Sequence, residues 1–194
     1  MMRIFTIAVE SDIKLVERLT FIQEDLGKIV AARGADSRWV RPEHLQVPLL
    51  CLGRHDEDAI PEFNEILREV ANRSQKFTMT TSQISAYPSP ETPRLIQVSA
   101  FADNHLVELR ERLMEAFRAA NISFDGRPFR ATMLLGRVAT NAARINLSDA
   151  VRAIQELNFG QSEIFEFALC SANLTENGTV HRIISRFFLG GTPQ

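Results

Sequence analysis

The sequence predicts an α+β fold built from two matched halves, on three observations. The stretch RWVRPEHLQVPLLCLG (38–53) has a second copy in GRPFRATMLLGR (126–137). With Arg41-Pro42 laid on Arg127-Pro128, Gln46 meets Thr132, Pro48 meets Leu134 and Leu49 meets Leu135, all at an offset of 86 residues (132 less 46). Each copy leads an Arg-Pro pair into an apolar strand, and each half of the chain reads strand, helix, motif strand, helix, strand. Finally, 194 residues with 45% hydrophobic and 24% charged side chains are enough to bury a sizeable core. No low-complexity stretch or linker interrupts the chain, and residues 1–194 suit one large domain or two small intertwined ones.

Each element has a local reason. Residues 3–9 alternate like a strand, and Ser11 is placed to cap the helix that follows. Leu15, Leu19, Ile22, Leu26 and Ile29 recur at helical spacing, and Gly34 stops that helix. The first motif strand is expected from about His44 to Leu52. Pro48 predicts a local distortion there, because proline cannot donate a ladder hydrogen bond. A helix is expected over 58–73, with Ile60, Phe63, Leu67 and Val70 on one face. Then come a strand over 77–85 and a proline-rich loop over 87–93. The second half gives a strand over 95–101, a helix over 104–120, the second motif strand over 129–136 and a helix over 147–157. Strands over 164–170 and 180–189 follow, joined through a turn at Glu176-Asn177-Gly178.

The net charge of −2 argues against a general nucleic-acid or membrane surface but leaves room for a local basic cleft. No stretch is long or apolar enough to span a bilayer. The first nine residues read as a strand and not as a signal peptide, so a cytoplasmic location is expected. Cys51 and Cys170 lie in apolar strand-like runs and read as buried free thiols. The four histidines show no ligand spacing, and no metal site or cofactor is expected. Trp39, alone before a strand, reads more readily as core than as a base-stacking platform.

Side chains alternate across a strand, so Gln46 shares a face with Pro48, and Thr132 with Leu134. Arg130 is expected on the face of Thr132, while Arg41, Arg127 and Arg137 flank the motifs; guanidinium forks suit phosphate oxygens. His44 falls two residues before Gln46 and is expected on the same strand face. His181 lies in the final strand. His55 and His105 read as solvated, in a loop and at a helix start.

The two motifs resemble those of the two-histidine phosphoesterases, in the LigT-like branch of RNA 2′,3′-cyclic phosphodiesterases, where each motif is built on His-x-Thr. The resemblance runs nearly end to end. It takes in Met2-Arg3-Ile4-Phe5, Tyr87-Pro88-Ser89, Pro93-Arg94-Leu95 and the closing stretch 171–189 with Gly178 and Ser185-Arg186-Phe187. It implies a bilobal fold of two pseudo-twofold-related antiparallel sheets with flanking helices and a central cleft, across which Gln46 and Thr132 face each other. It also implies a chemistry of two histidines, one as general base and one as general acid, with threonine hydroxyls on the phosphate. Here the histidine positions hold Gln46 and Thr132, and the threonine positions hold Pro48 and Leu134.

Neither Gln46 nor Thr132 exchanges a proton usefully near neutral pH. Losing one general acid or base costs roughly 10²–10⁴ in rate. The expected function is therefore binding of a nucleotide or a 2′/3′-phosphorylated RNA end by a monomer, with no catalytic residue at the motif positions. Gln46, Thr132, Arg130, His44, Arg41, Arg137 and His181 are the candidate ligand contacts. Two alternatives stand beside it: an active 2′,3′-cyclic phosphodiesterase that uses His44 as a displaced catalytic histidine, and a protein-interaction module with no nucleotide ligand.

Overall fold

The computed structural model describes residues 1–139, 145–155, 158–175 and 178–190, with backbone alone at 155, 158, 173–175 and 178–181. Among the described residues, nine strands and four helices follow in the order β1 (Met2–Glu10), α1 (Ile13–Ala32), β2 (Ser37–Trp39), β3 (Gln46–Asp56), α2 (Ile60–Asn72), β4 (Phe77–Tyr87), β5 (Leu95–Phe101), α3 (His105–Ala119), β6 (Thr132–Val138), α4 (Ser148–Gln155), β7 (Asn158–Ile164), β8 (Glu166–Thr175) and β9 (Gly178–Phe188). They form two sheets, ordered β3-β1-β8-β9 and β2-β6-β5-β4-β7. Every paired neighbour is antiparallel.

The chain crosses between the sheets repeatedly. Helix α1, from the first half, packs on β2, β6 and β7 of the second sheet, and α4 packs on β4. Helices α2 and α3 cover the first sheet through β9 and β3. Alternation in each strand sends apolar side chains under the helices: Phe5, Ile7 and Val9 from β1, and Ile96, Val98 and Ala100 from β5, are all buried. Phe63 of α2 links this core, edge-to-face with Phe5 at 5.5 Å and with Phe117 at 5.7 Å. The opposite faces lie away from these helices, and the two sheets meet where β3 packs against β6. The central cleft lies between them.

The internal repeat is visible in the backbone. On β3, Leu50 pairs with Ile7 and Pro48 with Ala8, so Leu49 is the extra, bulged residue. On β6, Gly136 pairs with Ile96 and Leu134 with Gln97, so Leu135 is bulged. Leu49 and Leu135 are one of the pairs that the self-match aligned. Each bulged carbonyl is satisfied from a helix: Leu49 O accepts from Arg110 Nε of α3 at 3.0 Å, and Leu135 O from the buried Gln23 Nε2 of α1 at 2.8 Å. The distortion expected at Pro48 is present, and β3 is an edge strand, where a missing N–H costs least.

Several expectations need correction. The motif strands begin at Gln46 and Thr132, later than expected. Pro42 starts a 3₁₀ turn over Pro42–His44, closed by His44 N to Arg41 O at 2.8 Å, so His44 is not on a strand face. Arg130 precedes β6 and does not share a strand face with Thr132. The cap of α1 is Asp12, whose Oδ1 accepts from Leu15 N at 2.8 Å, and not Ser11. The strand expected over 164–170 is two strands divided at Phe165, and β2 was not foreseen. The turn expected at Glu176-Asn177-Gly178 lies outside the described residues at 176–177. Among the described residues no helix is long and apolar enough to cross a membrane.

Candidate functional site

Cross-strand register places the motif side chains. Gln46 stands opposite Glu10 and Pro48 opposite Ala8 on the helix-free face of the first sheet. Thr132 stands opposite Ser99 and Leu134 opposite Gln97 on that of the second. Gln46, Thr132 and Leu134 are half-buried, and Pro48 is exposed. Opposed residues share a face, so each wall is read directly from its ladder.

The Gln46 amide is held from behind. Cys170 of β8 donates its S–H to Gln46 Oε1 at 3.4 Å. Burial pushes the Cys170 thiol up to about 11, so it remains a protonated donor. The bond fixes the amide oxygen of Gln46. Beside Gln46, Arg186 bridges Glu10, with bonds of 3.0 and 3.3 Å, and Glu166 at 3.3 Å. Burial holds the Glu166 carboxyl above the usual carboxylate range, against the pull of Arg186.

The segment before β6 is clamped to β3. Asp125 N donates to Cys51 O at 2.8 Å, and Arg110, besides its bond to Leu49 O, donates from Nη2 to Arg127 O at 2.8 Å. The Arg110 guanidinium also lies 5.3 Å from the centre of the Phe129 ring. One arginine thus ties the bulge of the first motif to the entry of the second.

The flanking arginines divide. Arg127 is committed to Asp125, whose carboxyl it holds down to about 2. Arg41 lies 3.9 Å from Glu43. Arg130 and Arg137 are exposed and have no ion pair or side-chain hydrogen bond among the described residues. Of the histidines, His44 is half-buried at its turn. His55 belongs to β3 and not to a loop; its Nε2 lies 2.9 Å from Leu52 O and its ring is edge-on to Phe63. His105 starts α3 as expected and stacks on Phe77 at 5.5 Å. His181 has its backbone opposite Ala172 in β9, and its side chain lies outside the described residues. Trp39 is core, its ring sandwiched between Gly27 of α1 and Gly136 of β6. Cys170 is buried and Cys51 half-buried, both as free thiols. No group of metal-ligating side chains forms among the described residues.

Sequence reasoning missed Glu10, Cys170 and Arg110 as neighbours of the motifs, because only register and helix packing bring them there. It also missed Arg38, which β2 sets opposite Arg137.

Comparison with known proteins agrees with this architecture. The family model described as LigT like Phosphoesterase matches residues 13–97. An RNA 2′,3′-cyclic phosphodiesterase of Archaeoglobus fulgidus is 27% identical over 186 residues, covering 96% of this chain and 99% of that protein. One from Aquifex aeolicus is 23% identical, covering 79% and 82%. Among solved structures, a Thermus thermophilus protein superposes with a TM-score of 0.78 at 24% identity, covering 98% of this chain and all of the other. LigT of E. coli in complex with 3′-AMP gives 0.73 at 16% identity, covering 97% and 99%. With the family model on residues 13–97, relatives aligned over most of the chain and this fold in common, the chain is similar to the LigT-like phosphoesterases and shares their fold.

Proposed function

We propose that this protein is a catalytically degenerate RNA 2′,3′-cyclic phosphodiesterase homologue that binds a nucleotide or a 2′/3′-phosphorylated RNA end in its cleft. One observation carries the reading: both paired motif positions, on strands bulged at matching residues, hold side chains that do not titrate near neutral pH. Opening a cyclic phosphate needs a base on water and an acid on the leaving oxygen. Gln46 offers an amide N–H pair and Thr132 a hydroxyl, which are hydrogen-bonding groups suited to holding a phosphate and not to moving its proton. Pro48 and Leu134 remove the hydroxyls that a His-x-Thr motif would add. The neighbouring thiol does not replace them, since Cys170 is buried and protonated.

Binding groups remain. In this reading Gln46 and Thr132 face each other across the cleft, with Arg130 two residues before Thr132 as a cation unpaired among the described residues, and binding needs no metal ion and no second copy of the chain. That E. coli LigT has been crystallised with 3′-AMP, with ATP and with phosphate supports a nucleotide phosphate as the ligand class.

Calorimetry with 3′-AMP and 2′,3′-cyclic AMP tests it. Binding is expected, weaker at high salt. Arg130→Ala is expected to cost about 1.5–3 kcal/mol, the range for a hydrogen bond to a charged group. No heat with any nucleotide, at protein concentrations well above the micromolar range, would replace this reading with a protein-interaction role.

A further inference from the structure

Beyond the motif positions, the second sheet presents an unneutralised pair of cations. Arg38 of β2 and Arg137 of β6 are direct cross-strand partners. Like charges directly opposite each other destabilise a sheet. Both side chains are exposed, and neither has an ion pair or side-chain hydrogen bond among the described residues. Asp36, two residues from Arg38, is not paired with either of them.

The pair lies on the same helix-free face as Thr132. Thr132, Leu134 and Arg137 stand opposite Ser99, Gln97 and Leu95, which alternate along β5 on one side. From Arg137 the row continues through Leu95 to Tyr87 of β4, whose side chain is 57% exposed. Arg137 is five residues along β6 from Thr132, about 15 Å of strand after the bulge. That is too far for one phosphate to touch both. On the facing sheet, Glu10 and Glu166 are both paired with Arg186.

We propose that Arg38 and Arg137 form a second phosphate subsite, which takes the backbone of single-stranded RNA whose phosphorylated end lies at Gln46 and Thr132. The proposal rests on the cleft-binding reading and narrows its ligand from a mononucleotide to an oligonucleotide. Two guanidinium forks at paired positions of neighbouring strands suit the oxygens of a phosphodiester, and binding relieves their mutual repulsion. Tyr87, at the end of the row, offers a ring for an unstacked base.

The test compares 3′-AMP with a short oligoribonucleotide ending in a 3′-phosphate, by fluorescence anisotropy across a salt series. The wild type is expected to bind the oligonucleotide more tightly. Arg38→Ala and Arg137→Ala are each expected to lose about tenfold or more of that gain, and the double variant to flatten the salt slope by about 0.7 for each phosphate no longer neutralised. The double Lys variant keeps the charges and is expected to retain part of the gain. Removing the repulsion should not lower the melting temperature of either Ala variant. If oligonucleotide and 3′-AMP bind equally, the second subsite does not exist while cleft binding stands. If neither binds, the cleft reading itself falls. Equal losses for both probes would put the pair at the terminal phosphate and overturn the proposal. Equal competition by polyglutamate would overturn the RNA assignment.

Discussion

Gly136→Ala tests how the second motif strand is held. A Cβ at Gly136 would lie 2.5 Å from Trp39 Cε3, 2.9 Å from Cζ3 and 3.1 Å from Cδ2. The ring cannot retreat, because on its far side a Cβ at Gly27 of α1 would already be 3.0 Å from Nε1. Trp39 is also the register partner of Gly136, so the clash must push β2 away from β6 or bend β6 itself. Overpacking of this kind costs about 1–3 kcal/mol. For a domain of this size that is a fall in melting temperature of roughly 2–12 °C. Thermal and urea denaturation followed by circular dichroism measure it. Trp39→Leu, destabilising alone, should recover part of the loss in the Gly136→Ala background, giving a coupling that additive behaviour would not. An unchanged melting temperature for Gly136→Ala, or additive effects in the double variant, would refute the packing argument.

Two further predictions concern groups behind the cleft. Cys170 should resist an aromatic disulfide reagent at about pH 8 in the folded protein, while the half-buried Cys51 reacts first. The folded Cys170 thiol titrates at about 11 against 9.0 when unperturbed, so its contribution to stability is complete below pH 9 and lost as pH rises towards 11. Urea midpoints measured across that range should fall, and Cys170→Ala should shrink the fall. Arg110→Ala removes the donors to Leu49 O and Arg127 O and should lower the melting temperature by roughly 2–12 °C, for a loss of about 1–3 kcal/mol from partly exposed bonds.

Much of the fold was legible because the repeat is written in residues that make strands and bulges. The match of Leu49 to Leu135 falls on the two bulged positions. The helical faces of α1, α2 and α3 followed from apolar spacing. The misses have local causes. Strand β2 is three residues long, too short for any period to register, and with it went Arg38. Strand β7, Asn158–Ile164, contains Gly160, Gln161, Ser162 and Glu163 and owes its extended form to pairing with β4, not to its own pattern. His44 was drawn onto the strand because the turn that Pro42 initiates looks, in sequence, like the start of an alternation. The environment of Gln46 was illegible for a different reason. Glu10 and Cys170 reach it across sheet contacts between residues 36 and 124 positions apart in the chain.

Loss of the reaction at both histidine positions, with the cleft kept, is tested most directly by one assay. It measures hydrolysis of 2′,3′-cyclic AMP by the wild type and by the double variant Gln46→His with Thr132→His. The wild type is expected to show no turnover above buffer. The double variant is expected to hydrolyse the substrate with a bell-shaped pH profile, since one imidazole must be neutral and the other protonated, and to improve when Pro48→Thr and Leu134→Thr are added. Turnover by the wild type that disappears in His44→Ala would contradict this and identify a working enzyme with a displaced histidine.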